Sequence, residues 1–187
     1  YKGRYLFNGS FRRDGSSAFS YTGNQWQNFY SIGAGWLMSE EEFMKDITWL
    51  DMLKLKGSWG TLGNQNLDKA YPAEPLLTNA YSAVFGKPSA IYPGYQLSYL
   101  PNPNLRWEKV EAWEAGAEAS FFRNRLHFEG VYYKKTTKDL LAEVPGISGT
   151  VPGIGNLGSI ENKGVELAIN WRDQIGEWGY SVSANLT

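Results

Sequence analysis

The sequence predicts an all-β fold: about seven antiparallel, up-and-down strands that form part of a transmembrane β-barrel. Three observations lead there. Seven segments alternate apolar and polar residues with period two. Aromatic residues make up 16% of the chain, and the larger ones gather at the ends of those segments. The connections between segments differ in length in a way that places the longer ones together at one end.

In chain order the strands are expected at residues 4–12, 28–38, 53–61, 105–122, 126–142, 159–172 and 178–187. The first places Tyr5, Phe7, Gly9 and Phe11 on one face, and the second places Tyr30, Ile32, Ala34 and Trp36 there. Leu53, Leu55, Gly57 and Trp59 follow, then Trp113, Ala115, Ala117, Ala119 and Phe121. The last three strands contribute Leu126, Phe128, Gly130 and Tyr132; Val165, Leu167, Ile169 and Trp171; and Trp178, Tyr180, Val182, Ala184 and Leu186. Those 30 positions carry no ionisable side chain other than tyrosine. The intervening positions hold Lys54, Lys56, Glu114, Glu118, Glu129, Glu166 and His127, so one face is dry and the other wet.

Alternation alone also suits a soluble β-sandwich, in which the apolar faces of two sheets meet. The connections, residues 13–27, 39–52, 62–104, 123–125, 143–158 and 173–177, favour the barrel, because tight turns at one end and long loops at the other are its habit. Phe11, Trp36, Trp59, Trp113, Phe121, Tyr132, Trp171 and Trp178 would form girdles at the two lipid interfaces. A secreted soluble β-sandwich that binds glycans is the alternative.

Composition excludes several classes of function. With 18 basic and 19 acidic residues the net charge is -1, so no broad positive field exists to hold nucleic acid. Cysteine is absent, which removes disulfides, thiolate metal sites and thiol nucleophiles, and the single His127 restricts acid-base chemistry. No apolar run approaches the roughly 18 residues of a membrane helix, so a span must be built from strands. The chain has neither initiator Met nor signal peptide and is expected to begin and end within strands, as an excerpt of a longer protein would.

Local motifs carry less. Ser39 followed by Glu42 has the form of a capping box, predicting one or two helical turns over SEEEFMK. Asp14-Gly15 within RDGSS predicts a turn. GTLGNQN, residues 60–66, lacks the Lys and following helix of a phosphate cradle and is expected to be a strand giving way to a loop. Glu114, Glu118, Glu129 and Glu166 are expected to face a hydrated lumen; paired acids can also cleave glycosides, but charges facing water need no catalytic explanation. No catalytic residue, metal site or cofactor is assigned, and no enzymatic activity is expected. His127 is expected to be a solvated residue near the short-turn rim. The long connection over residues 64–104 carries Tyr71, Tyr81, Phe85, Tyr92, Tyr95 and Tyr99 among its prolines. Exposed aromatics supply contact area at low entropic cost, so these six are the candidate contacts to cargo or to a partner.

Several stretches, in order, carry a family resemblance: FNGSFRRDGSSAF, SEEEFMKD followed by WLDMLKLKGSWGTLGNQN, NPNLRWEKVEAWEAGAEASFF, YYKKTTKDLLAEVPGISG and NLGSIENKGVEL. Together the chain resembles the C-terminal barrel region of SusC-like (RagA-type) TonB-linked outer-membrane proteins of Bacteroidetes. That resemblance implies a 22-stranded barrel in the outer membrane, filled by an N-terminal plug and powered through TonB. It implies a SusD-like surface lipoprotein as partner and import of oligosaccharides or peptides. Residues 1–187 would be part of the barrel domain, with plug and TonB box lying before Tyr1.

Overall fold

A computed structural model describes residues 1–67, 71–146 and 151–187. Residues 68–70, in the long connection, and 147–150, within the quoted stretch ending PGISG, lie outside it. Among the described residues eleven strands are present: β1 Tyr5–Gly15, β2 Trp26–Leu37, β3 Leu50–Asn64, β4 Leu77–Phe85, β5 Ala90–Leu97, β6 Glu108–Phe121, β7 Leu126–Lys138, β8 Leu141–Val144, β9 Gly153–Asn156, β10 Ser159–Ile175 and β11 Trp178–Leu186. Seven of them form one antiparallel sheet in the order β1-β2-β3-β6-β7-β10-β11. These are the seven expected strands, neighbours in chain order. The other four form two hairpins, β4-β5 and β8-β9, inserted in the long connections.

Cross-strand register keeps the two faces pure across the middle of the sheet. Phe7 lies opposite Ala34, which lies opposite Gly57, which lies opposite Ala115, which lies opposite Tyr132, which lies opposite Val165. The next row contains Leu55, Ala117, Gly130, Leu167 and Leu186. A one-residue slip anywhere would turn a strand's apolar set to the wet side, so alternation specifies register as well as strand. The sheet is open, with β1 and β11 as its edges. Among the described residues no second sheet covers its apolar face: Phe7, Ile32, Trp113, Tyr132, Val165 and Ile169 are all exposed. That arrangement removes the soluble sandwich.

Aromatic side chains on the apolar face fall at two levels. Toward the long-connection end, Phe11 packs on Tyr30 and Trp59 on Trp113, with ring centroids 5.3 and 5.8 Å apart. Toward the short-turn end, Trp49 stacks on Phe121, and Tyr5 stands opposite Trp36. Trp113 and Phe121 are eight residues apart on one strand, roughly 27 Å, which a tilt near 40° brings to roughly 20 Å of depth. The dry band of an outer-membrane barrel is about that tall.

The short-turn end is tightly made. β6 and β7 are joined through Phe122, Arg123 and Asn124, all with positive φ. Their left-handed cost is offset by bonds to the foot of the neighbouring strand: Phe122 N–H donates to the Trp49 carbonyl, and Asn124 N–H to the Asp51 carboxylate. Gly176, at φ +62, opens the two-residue turn between β10 and β11.

Two local expectations are corrected. SEEEFMK forms two short 3-10 turns, Met38–Glu40 and Glu42–Met44, with neither start capped by a side chain. The residue between them, Glu41, is extended because its carboxylate is engaged with β1 and β2: it accepts from the Tyr5 hydroxyl at 2.6 Å and the Trp36 indole at 3.1 Å, and pairs with Arg4 at 2.9 Å. Those hydrogen bonds, the Tyr5 one foremost, hold the Glu41 carboxyl below the ordinary glutamate range. Asp14 and Gly15 are not a turn either. They remain in β1, paired with Gln27 and Trp26, and the chain turns after Ser16, whose hydroxyl caps Ser17–Phe19.

Candidate functional site

The wet face of the sheet carries a charge network across three strands. Lys54 and Lys56 of β3 reach Glu118 of β6 at 3.4 and 2.6 Å, and Lys56 also reaches Glu129 of β7 at 2.5 Å. Glu118 and Glu129 lie directly opposite each other, an unfavourable pairing that the shared Lys56 ammonium, with Lys54 beside it, offsets. Glu114 and Glu166 lie on the same face, and none of the described ion pairs involves them. The face bounds an open hollow of about 600 Å³ whose lining includes Asn8, Lys54, Lys56, Glu114, Glu129 and Glu166. His127 shares a 3.1 Å hydrogen bond with Ser120 beside the β6-β7 turn. Gly164 lets Tyr133 lie across its neighbour strand on this face: a Cβ there would come within 2.9 Å of the Tyr133 hydroxyl. Among the described residues no three His, Asp or Glu side chains converge as a metal set.

Above the wall, at the long-connection end, three loops share a small core that the sequence reading missed. Phe19 comes from the β1-β2 connection, Leu105 and Trp107 from the stretch before β6, and Ile154 from β9; together with Phe29 of β2 and Ala73 they are buried in one cluster. Polar bonds close it. The Trp107 indole donates to the Asn24 carbonyl at 3.0 Å and the Asn24 amide to the Leu105 carbonyl at 2.9 Å. Asn156 donates to the carbonyls of Arg106 and Asp139, while Arg106 and Asp139 pair at 2.6 Å. The Arg106 bond holds the Asp139 carboxyl below its ordinary range. The strand expected over residues 105–122 begins at Glu108, because Leu105 and Trp107 turn into this core instead of the sheet.

The candidate aromatics divide over this platform. Tyr81 and Phe85 of β4 and Tyr92 and Tyr95 of β5 project into solvent, Tyr81 with 73% of its surface exposed, and Tyr71 is half-exposed beside the platform. Tyr99, at 5% exposure, is interior; its hydroxyl donates to the Tyr71 carbonyl at 2.7 Å and braces the loop.

The family model of the TonB dependent receptor-like β-barrel matches residues 1–187. The chain belongs to that family. TonB-dependent receptor barrels are outer-membrane proteins, so the apolar face and its two aromatic levels have the membrane as their setting. TonB-dependent receptor P26 of Formosa agariphila is 40% identical over 172 residues, covering 91% of this chain and 17% of that protein. TonB-dependent receptor SusC of Bacteroides thetaiotaomicron is 36% identical over 191 residues, covering 98% of this chain and 19% of that protein. Among solved structures, the RagAB peptide transporter superposes with a TM-score of 0.80 at 30% identity, over 99% of this chain and 20% of that one. The chain therefore spans about a fifth of the length of the TonB-dependent receptors it matches. These relatives bear the names of receptors and transporters, not of enzymes.

Proposed function

We propose that the protein is an importer that moves oligosaccharides or peptides across the outer membrane, driven through TonB and working with a SusD-like surface lipoprotein. The observation that carries this reading is the continuous two-faced wall: an uncovered apolar surface with aromatic levels on one side and a hydrated charge network on the other. The wet face, with Glu114, Glu118, Glu129 and Glu166, lines the lumen, and the apolar face meets lipid. Long connections are external and tight turns periplasmic. Lys56 holds Glu118 and Glu129 as an ion-paired cluster, which is wall structure, and passage involves no covalent step. Tyr71, Tyr81, Phe85, Tyr92 and Tyr95 stand where cargo or the lipoprotein lid would pass. The similarity to the RagAB peptide transporter supports peptides, and the similarity to SusC-like proteins keeps oligosaccharides in view. The test is uptake of labelled oligosaccharides and peptides by cells carrying the full-length transporter, with and without TonB and the neighbouring lipoprotein. Uptake that persists without TonB would refute the reading.

A further inference from the structure

Beyond its outer aromatic level the apolar face does not end; the strands continue and the face becomes charged. In the row of Trp113, the cross-strand neighbours are Lys134 and Lys163. The next row outward is Glu111, Thr136 and Glu161, and the one after is Lys109, Lys138 and Ser159. Lys134 thus stands directly opposite Lys163, and Lys109 directly opposite Lys138, an arrangement that is unfavourable unless negative charge lies between. The protein supplies part of it. Glu161 meets Lys134 at 3.0 Å and Lys163 at 3.4 Å, and Glu111 meets Lys138 at 3.1 Å while accepting the Trp59 indole. Four ammonium groups against two carboxylates leave two positive charges on three adjacent strands, with the side chains of Lys134, Lys138 and Lys163 between 43% and 64% exposed.

We propose that this band binds the phosphate of a phosphorylated lipid in the outer leaflet. The proposal rests on the reading that the apolar face meets lipid. One row inward lie Ala115, Tyr132 and Val165, and beyond them Ala117, Gly130 and Leu167. A single lipid can therefore lay its acyl chains on Tyr132, Val165 and Leu167 while its headgroup sits among the lysines, whose flexible stems reach along the surface. Lys134 and Lys163, on facing residues about 5 Å apart at Cα, converge on one phosphate. Continuity with the dry surface selects a lipid over free phosphate, and the excess of positive charge selects an anionic headgroup over a zwitterionic one.

The test uses the full-length transporter, purified from outer membranes in mild detergent, with lipid retained by the folded, heat-modifiable barrel quantified by mass spectrometry. Lys134→Gln combined with Lys163→Gln is expected to lower retained phosphorylated lipid roughly tenfold, near the contribution of one to two basic residues at a membrane surface. Glu161→Gln, which frees the same lysines, is expected to retain at least as much as wild type. Phosphatase treatment of lipid added back in vesicles should abolish retention, and millimolar inorganic phosphate should not compete it away. Unchanged retention in the double variant, equal loss in Glu161→Gln, or retention indifferent to phosphatase would overturn the proposal and leave the band as a self-contained ion-pair lattice. Displacement by inorganic phosphate would make it a site for the free ion and equally overturn it. Leu167→Arg, run in parallel, separates the two levels. If it assembles like wild type the assignment of the lipid face has failed; if it blocks assembly while the lysine variants keep their lipid, only the present proposal has.

Discussion

The seven-stranded wall keeps its apolar side chains on an outer surface that no other described part of the chain covers, whereas the loops above it bury theirs in a miniature core. Phe7, Tyr132 and Val165 belong to the first kind, and Phe19, Leu105 and Trp107 to the second. The wall draws its order from backbone ladders and from the hydrocarbon around it. The platform obeys the rules of a small water-soluble domain. Exposure consequently means opposite things in the two regions: an exposed leucine in the wall is a position that cannot take a charge, and a buried leucine in the platform is one that cannot be shortened.

The sharpest way to break that comparison is Leu167→Arg in the full-length transporter. A charge near the midplane of the lipid face costs about 2 to 4 kcal/mol, so assembled barrel in the outer membrane, read by abundance and heat-modifiable migration, should fall steeply. Leu105→Ala comes next. Leu105 is fully buried, and shortening it should remove about 2 kcal/mol, the low end for buried leucine because loops relax into the space. Here the barrel should still assemble while residues 16–25, 71–107 and 151–158 become sensitive to external protease. A variant that loses the barrel instead would show that the platform is not separable from the wall.

Acidification should act more mildly, and at the opposite rim. The Glu41 carboxyl titrates below its ordinary value of about 4.5 in the folded protein. A depressed carboxylate contributes stability that is present in full above the unfolded value and is lost as the pH falls through the folded one. The connection over residues 38–49 should therefore hold firm at neutral pH and loosen only below about pH 4.5. Hydrogen exchange of that segment, corrected for its intrinsic pH dependence, measures this, and Glu41→Gln should remove the dependence. The smallest effect is expected of Glu166→Gln, within about 0.5 kcal/mol and with normal assembly, because its side chain stands on the wet face next to Leu167 on the dry one. Equal loss of barrel in Glu166→Gln and Leu167→Arg would show the faces of β10 assigned the wrong way round.

Much of the wall was legible because its signal is local. Alternation in stretches such as Trp113 to Phe121 states both the strand and its faces without reference to anything distant. The platform was not legible, since Phe19, Leu105 and Ile154 form a core only once three loops far apart in sequence are brought together. The β4-β5 hairpin escaped for a different reason. Val84, Phe85, Ile91 and Tyr92 are apolar and exposed on both faces, and Pro93 interrupts β5, so no period-two contrast exists to read. Asp14-Gly15 misled because a turn propensity was overridden by pairing with β2. At Ser39 and Glu42 the capping pattern was overridden by the bonds of Glu41 to Tyr5, Trp36 and Arg4. The charged band was hidden in plain composition: Lys134 and Lys163 become neighbours only through the register of β7 and β10.

The network of Lys54, Lys56, Glu118 and Glu129 has a consequence for assembly. In a hairpin such as β6-β7 the turn itself dictates which residues meet, but β3 and β6 are separated by the longest connection in the chain, which imposes no such geometry. A two-residue slip between them would keep every apolar side chain on the lipid side and so pass unnoticed by hydrophobicity. The charges would register it only in part: in one direction Lys56 takes the place of Lys54 opposite Glu118, while in the other Lys54 moves opposite Gly116 and Lys56 moves roughly 7 Å along the strand to stand opposite Glu114, away from Glu129. The charges thus bias the alignment where the alternation is silent: the native one sets Lys54 opposite Glu118 while Lys56 is shared between Glu118 and Glu129.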